Sequence, residues 1–270
     1  MGDMGLGGAI LDIEACSYGY SRLLFRGPPA DLDGPFLGFI GATETVGPFL
    51  TRPFPSLVAQ ACGFECVNLG IKNAGPDVFL RDRAISELAS QATAIVLEAL
   101  SVTNQTTPLY RVHPRRNDRV ICALPALYDL VPGLDMAEVH FTGHLMAEIG
   151  RLKPDALAPV LSILQRSWVE RMRRLVSLLR VPVHVFAFSR ASHVFAAADA
   201  FMLAELEDVA VSVTRFEPSR GALAEGTASM FFAPSEAPAA LALHSAHAHR
   251  EAAACLAEKI GHKDKTARTG

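Results

Sequence analysis

Hydrophobic residues in this chain gather in short runs separated by glycine, proline and polar clusters. Residues 36–41 (FLGFIG) form a continuous apolar run ending in glycine, the pattern of a strand buried on both faces. FECVNLG (64–70), TAIVLEAL (93–100), VPVHVFAF (181–188) and DVAVSV (208–213) read the same way. They place strands near 36–41, 65–69, 94–100, 182–188 and 208–213. PFPSLVAQACG reads as a helix closed by Gly63, and VFLRDRAISELASQ as a second helix. Over 155–180, Leu161, Leu164, Trp168, Met172, Leu175 and Leu179 recur at three- and four-residue steps. That spacing predicts an amphipathic helix lying on a sheet, with Arg166, Arg171, Arg173 and Arg174 on its solvated face. A last helix is expected over 250–260. Strands alternating with helices imply βαβ units, and hence an α/β fold around a parallel sheet.

No internal repeat or interdomain linker interrupts the pattern, so residues 1–261 read as one domain. Residues 262–270 lack apolar periodicity and are expected to be a disordered tail. Of 270 residues, half are hydrophobic and a fifth charged, enough apolar material for one large core. The net charge of −3 provides no global basic field to draw the chain onto nucleic acid or an anionic membrane. Five scattered cysteines without a CxxC pair suggest neither a disulfide framework nor a zinc ribbon. The amino terminus carries acids where a signal peptide carries Lys or Arg. No apolar run approaches the ~18 residues of a membrane span. A cytoplasmic protein is expected.

In a parallel sheet with helices on both faces, ligands bind at the carboxyl ends of the strands. Three segments therefore matter most: Gly41–Gly47, Asn68–Gly75 and Ser101–Asn104. Each supplies hydroxyls, amides or backbone N–H groups of the kind that hold an oxyanion. Glu44 could serve as a general base or cap the following helix. Arg111, His113, Arg115, Arg116, Asn117 and Asp118 follow the third strand. Paired guanidiniums suit carboxylate, phosphate or sulfate, while an Arg–Asp network fastening a long loop is the structural alternative. His140 and His144 stand four apart without the Glu of an H-E-x-x-H motif, and His244, His247 and His249 cluster beside a helix start. No metal site and no cofactor is expected from either group.

These loops resemble the conserved blocks of the SGNH (GDSL-type) hydrolases. FIGATETVG resembles the first block, normally apolar-G-D-S-x-T-x-G; NLGIKNAG the second; SVTN the third; HREAAACLAEKI the last, where a histidine opens the final helix. The chain is similar, and more specifically, to an uncharacterised bacterial domain family with three motifs. They are Y-G-x-S-R-L-x-F-R-G-P (Tyr18–Pro28), G-x-x-E-T-x-G (Gly41–Gly47) and Y-R-V-H-P-R-R-N-D (Tyr110–Asp118). The SGNH resemblance implies a three-layer flavodoxin-like fold with strand order 2-1-3-4-5. It also implies a site in one cleft: Thr43 as nucleophile, His249 as base, Gly70 and Asn104 as oxyanion donors. Asn73, Arg115 and Arg116 join that list as substrate-binding residues, and Glu44 as a second candidate base. Ala42 and Thr43 depart from the family's aspartate and serine, and Ala246 from the aspartate that orients the histidine. Two functions follow as alternatives. One is an esterase or acyltransferase acting on a polar, carbohydrate-like substrate. The other is a module that binds a glycan or anion without turnover, or an assembly component. The expected partner is a small molecule or saccharide, and an oligomer is possible.

Overall fold

The computed structural model describes residues 11–189 and 197–267. The sequence readings over 1–10 and 268–270 lie outside the described residues. Five strands pair in parallel: β1 (Phe36–Gly41), β2 (Glu65–Gly70), β3 (Ala94–Glu98), β4 (Val183–Phe188) and β5 (Ser212–Phe216). Their spatial order is β2-β1-β3-β4-β5, the flavodoxin-like order 2-1-3-4-5 that was expected.

The side-chain alternation of β1 divides the interior in two. Leu37 and Phe39 point to one face of the sheet, into a cluster with Phe54, Val58, Phe186, Phe216 and Leu256. Phe36 and Ile40 point to the other, against Val78, Ile85, Leu164, Trp168 and Met172. Helices α2 (Phe54–Cys62) and α6 (Ala246–Ala267) cover the first face. Helices α3 (Pro76–Arg81), α4 (Arg83–Ala89) and α5 (Leu157–Leu179) cover the second. The Trp168 indole N–H donates to the Leu100 carbonyl at 2.8 Å, so the largest side chain in the core is also polar-satisfied.

Several boundaries differ from the pattern reading. The last strand lies four residues later than 208–213, because Phe216 joins the Phe186–Phe188 cluster while Asp208 pairs with Arg173. The helix read over VFLRDRAISELASQ is two helices, broken where the Asp82 carboxylate caps the Ile85 N–H at 3.1 Å. The last helix begins at Ala246 and runs to Ala267, into the segment expected to be disordered. His140 precedes the helix Thr142–Leu152 that holds His144, so the two do not share a helical face. Arg171 is not merely solvated: its Nε donates to the buried Asp77 at 2.8 Å. The polar stretch after β3 folds as an antiparallel hairpin, Tyr110–His113 with Arg116–Ala123.

The register of β1 with β2 (Gly41↔Gly70) and of β1 with β3 (Ile40↔Leu97) brings the three candidate loops to one edge of the sheet. Among the described residues no helix is long and apolar enough to cross a membrane.

Candidate functional site

β1 runs straight into a single helical turn, α1 (Thr43–Val46). A turn this short leaves its N–H groups without intrahelical partners. Glu98, at the end of β3, supplies them: its Oε2 accepts from Ala42 N–H (2.8 Å), Thr45 N–H (3.2 Å) and the Thr45 hydroxyl (2.6 Å). The approach depends on Gly41, where a Cβ would lie 1.9 Å from Thr45 Oγ1 and 2.6 Å from Glu98 Oε2. At the other end of the turn the Arg26 guanidinium donates to the carbonyls of Val46, Gly47, Leu50 and Thr51 at 2.7–3.1 Å. Asn68 closes the side, donating to Thr45 O at 2.7 Å and accepting from Gly70 N–H at 2.9 Å.

This frame leaves the Thr43 hydroxyl at a cavity of about 490 Å³. Thr43 Oγ1 accepts from Asn73 N–H at 2.9 Å and donates to Asn73 Oδ1 at 3.2 Å. Asn73 holds the left-handed conformation (φ 55°) that its short amide tolerates. Its Nδ2 donates to Asp118 at 3.2 Å. Asn104 Nδ2 donates to the Asn73 carbonyl at 2.9 Å, and Asn104 Oδ1 accepts from the Thr142 hydroxyl at 2.6 Å. Thr43, Asn73, Asn104, Asp118 and Thr142 thus line one cavity as one hydrogen-bonded chain branching at Asn73, beside the half-exposed ring of Phe141. Glu98 also reaches the cavity wall.

His249 and Glu44 are elsewhere. Both are fully buried, at 0% and 1% exposure. Because the final helix starts at Ala246, His249 falls in its first turn and faces the start of α2. There the N–H of Phe54, the first helical residue, donates to His249 Nδ1 at 3.0 Å. Nδ1 must therefore carry the lone pair and Nε2 the proton, which Nε2 donates to Glu44 Oε2 at 3.1 Å. Glu44 Oε1 receives His244 twice: the backbone N–H at 3.1 Å and ring Nδ1 at 2.8 Å. His244 Nε2 meets the Ser189 carbonyl at 3.2 Å, and its ring stacks on Phe188 with centroids 4.6 Å apart. The cluster joins α1, α2 and α6 inside the core. Among the described residues no group of three His, Cys, Asp or Glu is placed to hold a metal ion.

The expectation of a single cleft is therefore corrected. The structure brings together Thr43, Asn73 and Asn104. It withdraws Glu44 and His249 behind α1, where packing of α6 on α2 makes them a buried cap. Gly70 offers no donor to the cavity, since its N–H is taken by Asn68. Arg115 and Arg116 sit on the hairpin turn, their backbone N–H groups held by His113 Nδ1 at 3.2 Å each. With Gly70 and Lys72 they line a second hollow, and neither guanidinium forms an ion pair with the described residues.

The family model described as Domain of unknown function (DUF6473) matches residues 1–264. The chain belongs to that family. No curated protein matches it in sequence. Among solved structures it is similar to the lipase Lip_vut3 from a goat rumen metagenome. That likeness has 10% identity and a TM-score of 0.45, and covers 84% of this chain and 96% of the other. It is also similar to a GDSL-like lipase from Bacteroides ovatus, with 14% identity and a TM-score of 0.31, over 72% of this chain and 47% of that one.

In this DUF6473 chain, sequence reasoning missed Arg26, Glu98 and Tyr110 as residues that hold the loops, and named Asn117 only within the cluster after the third strand. Asn117, 1% exposed, accepts from Gly75 N–H and Val78 N–H at 3.1 Å each, and donates to the His113 carbonyl at 3.0 Å. It fastens the hairpin to the start of α3. Gly75 must be glycine, for a Cβ there would lie 1.5 Å from the Asn104 carbonyl oxygen. Tyr110 donates to the Thr103 carbonyl at 2.7 Å. Burial drives its phenol far above the usual tyrosine range. Arg26, Tyr110, Asn117 and Asp118 all lie in two of the sequence motifs, which was the available signal. Their chemistry is positional and left no trace in hydrophobic periodicity.

Proposed function

We propose that this chain binds a polyhydroxylated small molecule of the saccharide class in the Thr43–Asn73–Asn104 cavity, and that Thr43 and His249 do not form a hydrolytic relay. The observation that carries the reading is the engagement of His249: Nδ1 holds Phe54 N–H and Nε2 holds Glu44, so no ring nitrogen is left to take a proton from Thr43. Gly70 N–H, a donor of an SGNH-type oxyanion hole, is engaged too, by Asn68, and Asn104 Nδ2 gives one of its two N–H groups to Asn73 O.

What the cavity offers instead suits sugar hydroxyls. About 490 Å³ lies within the usual ~300–1,000 Å³ of small-molecule sites. Its wall carries the Asp118 carboxylate and the hydroxyls of Thr43, Ser101, Thr103 and Thr142, which accept and donate in turn. Phe141, 51% exposed, gives an apolar face against which a sugar ring can lie. The test is calorimetric titration with a panel of mono- and disaccharides. A saturable ligand is expected, weakened by Asp118→Ala by about 1.5–3 kcal/mol for a lost charge-assisted bond. Binding to no sugar in the panel, or binding untouched by both Asp118→Ala and Phe141→Ala, contradicts the reading.

An esterase or acyltransferase reading keeps one specific support. Thr43 hydroxyl and the Glu98 carboxylate border the same cavity. Activity abolished by Glu98→Gln, with His249 irrelevant, would favour it.

A further inference from the structure

A separate hollow of about 340 Å³ gathers four arginines from three segments of the chain: Arg22, Arg81, Arg83 and Arg115. Arg22 precedes the short strand Phe25–Arg26, Arg81 and Arg83 flank the break between α3 and α4, and Arg115 sits on the hairpin turn. Among the described residues Asp82 is the one carboxylate lining the hollow, and it is already engaged by the Ser21 hydroxyl at 2.7 Å and Ile85 N–H at 3.1 Å. Four guanidiniums against one carboxylate leave a local charge of +3 on a chain whose net charge is −3. Nearby acids do not neutralise it. Asp77 stands 4.0 Å from Arg81 but is held at 2.8 Å by Arg171. Arg22, Arg83 and Arg115 form no ion pair with the described residues.

Like charges brought together in a concave surface focus a positive potential, and planar guanidinium forks match the oxygens of phosphate and sulfate. The rest of the hollow is apolar: Leu23, Val78 and Pro114, with the ring of Tyr20, 64% exposed, beside them. An inorganic ion would leave that surface uncovered. We propose that this hollow is a binding site for an organic phosphate or sulfate monoester, its anionic head on the arginines and its body on Leu23, Val78, Pro114 and Tyr20. The site is distinct from the Thr43 cavity, with which it shares no lining residue among the described residues.

The experiment titrates the whole chain at low ionic strength with p-nitrophenyl phosphate, p-nitrophenyl sulfate, inorganic phosphate and inorganic sulfate, read by calorimetry. Saturable one-to-one binding of one or both aryl esters is expected, tighter than the matching inorganic ion; the better ester identifies the head group. Arg22→Gln with Arg115→Gln should weaken it ~10-fold or more, the loss of charge-assisted bonds. The exposed pair Arg174→Gln with Arg220→Gln removes the same charge outside the hollow and should leave affinity within about two-fold. Thermal unfolding checks that each variant is folded; should the first pair be unfolded, Arg83→Gln replaces it with the same expected direction. The proposal is overturned by no saturation with either ester, by equal weakening in the two arginine pairs, or by inorganic ions binding as well as the esters.

Discussion

Replacing Glu44 tests the buried cluster directly. Three N–H groups converge on its carboxylate: His249 Nε2–H, His244 N–H and the His244 Nδ1 edge. All lie in the interior, with side-chain exposures of 1% for His249, 10% for His244 and 1% for Glu44. Glu44→Ala leaves them without an acceptor and opens a gap beneath α1. At about 1–3 kcal/mol for each buried polar group left unpaired, the loss is about 3–9 kcal/mol. A domain holds only about 5–15 kcal/mol in total, so the variant is expected to be marginal or unfolded. Glu44→Gln keeps the volume. Its carbonyl can accept from His249, and its amide can donate to His244 Nδ1 once that nitrogen gives up its proton, which strands the His244 backbone N–H alone. That variant should lose about 1–3 kcal/mol. Urea unfolding followed by Trp168 fluorescence reads both, since Trp168 is the single tryptophan and is fully buried. An alanine variant within about 1 kcal/mol of the parent would show that the three donors reach water instead of depending on Glu44.

Asn117→Ala strands the N–H groups of Gly75 and Val78, so it should cost about 2–6 kcal/mol in the same assay and weaken any ligand of the Asn73–Asn104 cavity. Gly75→Ala places a methyl 1.5 Å from the Asn104 carbonyl; overpacking of about 1–3 kcal/mol is expected, together with shifted amide resonances around Asn104 in NMR spectra. Burial pushes the Tyr18 phenol up to about 12 from 10. Its folded value is the higher one, so its contribution to stability is complete below pH 10 and is lost as pH rises from 10 to about 12. Tyr18→Phe should flatten that part of a stability–pH curve, and an unchanged slope would count against it.

Much of the fold was legible because buried parallel strands are continuous apolar runs. Residues 36–41 match β1 end to end, and β2, β3 and β4 fall within two residues of their expected limits. The last strand slipped because the apolar alternation of Val209, Val211 and Val213 breaks at Arg215, and the pairing from His184↔Ser212 to Phe188↔Phe216 decides which part joins the sheet. The hairpin escaped notice because Tyr110–His113 and Arg116–Ala123 alternate buried with exposed residues rather than running apolar. At the site, position after a strand pointed to Thr43, Asn73 and Asn104, which the structure places around one cavity. It could not reveal where side chains turn. Glu44 lies next to Thr43 in sequence yet faces the interior, and His249 is directed by the packing of α6 on α2, a contact between residues about two hundred positions apart.

Thr43 lines a binding cavity in this proposal and starts no acyl transfer. Hydrolysis of p-nitrophenyl acetate by the parent and by Thr43→Ala measures this most directly, since Thr43 is partly exposed and its loss leaves the core intact. Equal rates, both at the background of buffer, are predicted. A parent rate ~10²-fold or more above that of Thr43→Ala would contradict the claim, for only a hydroxyl that reacts could be missed so heavily.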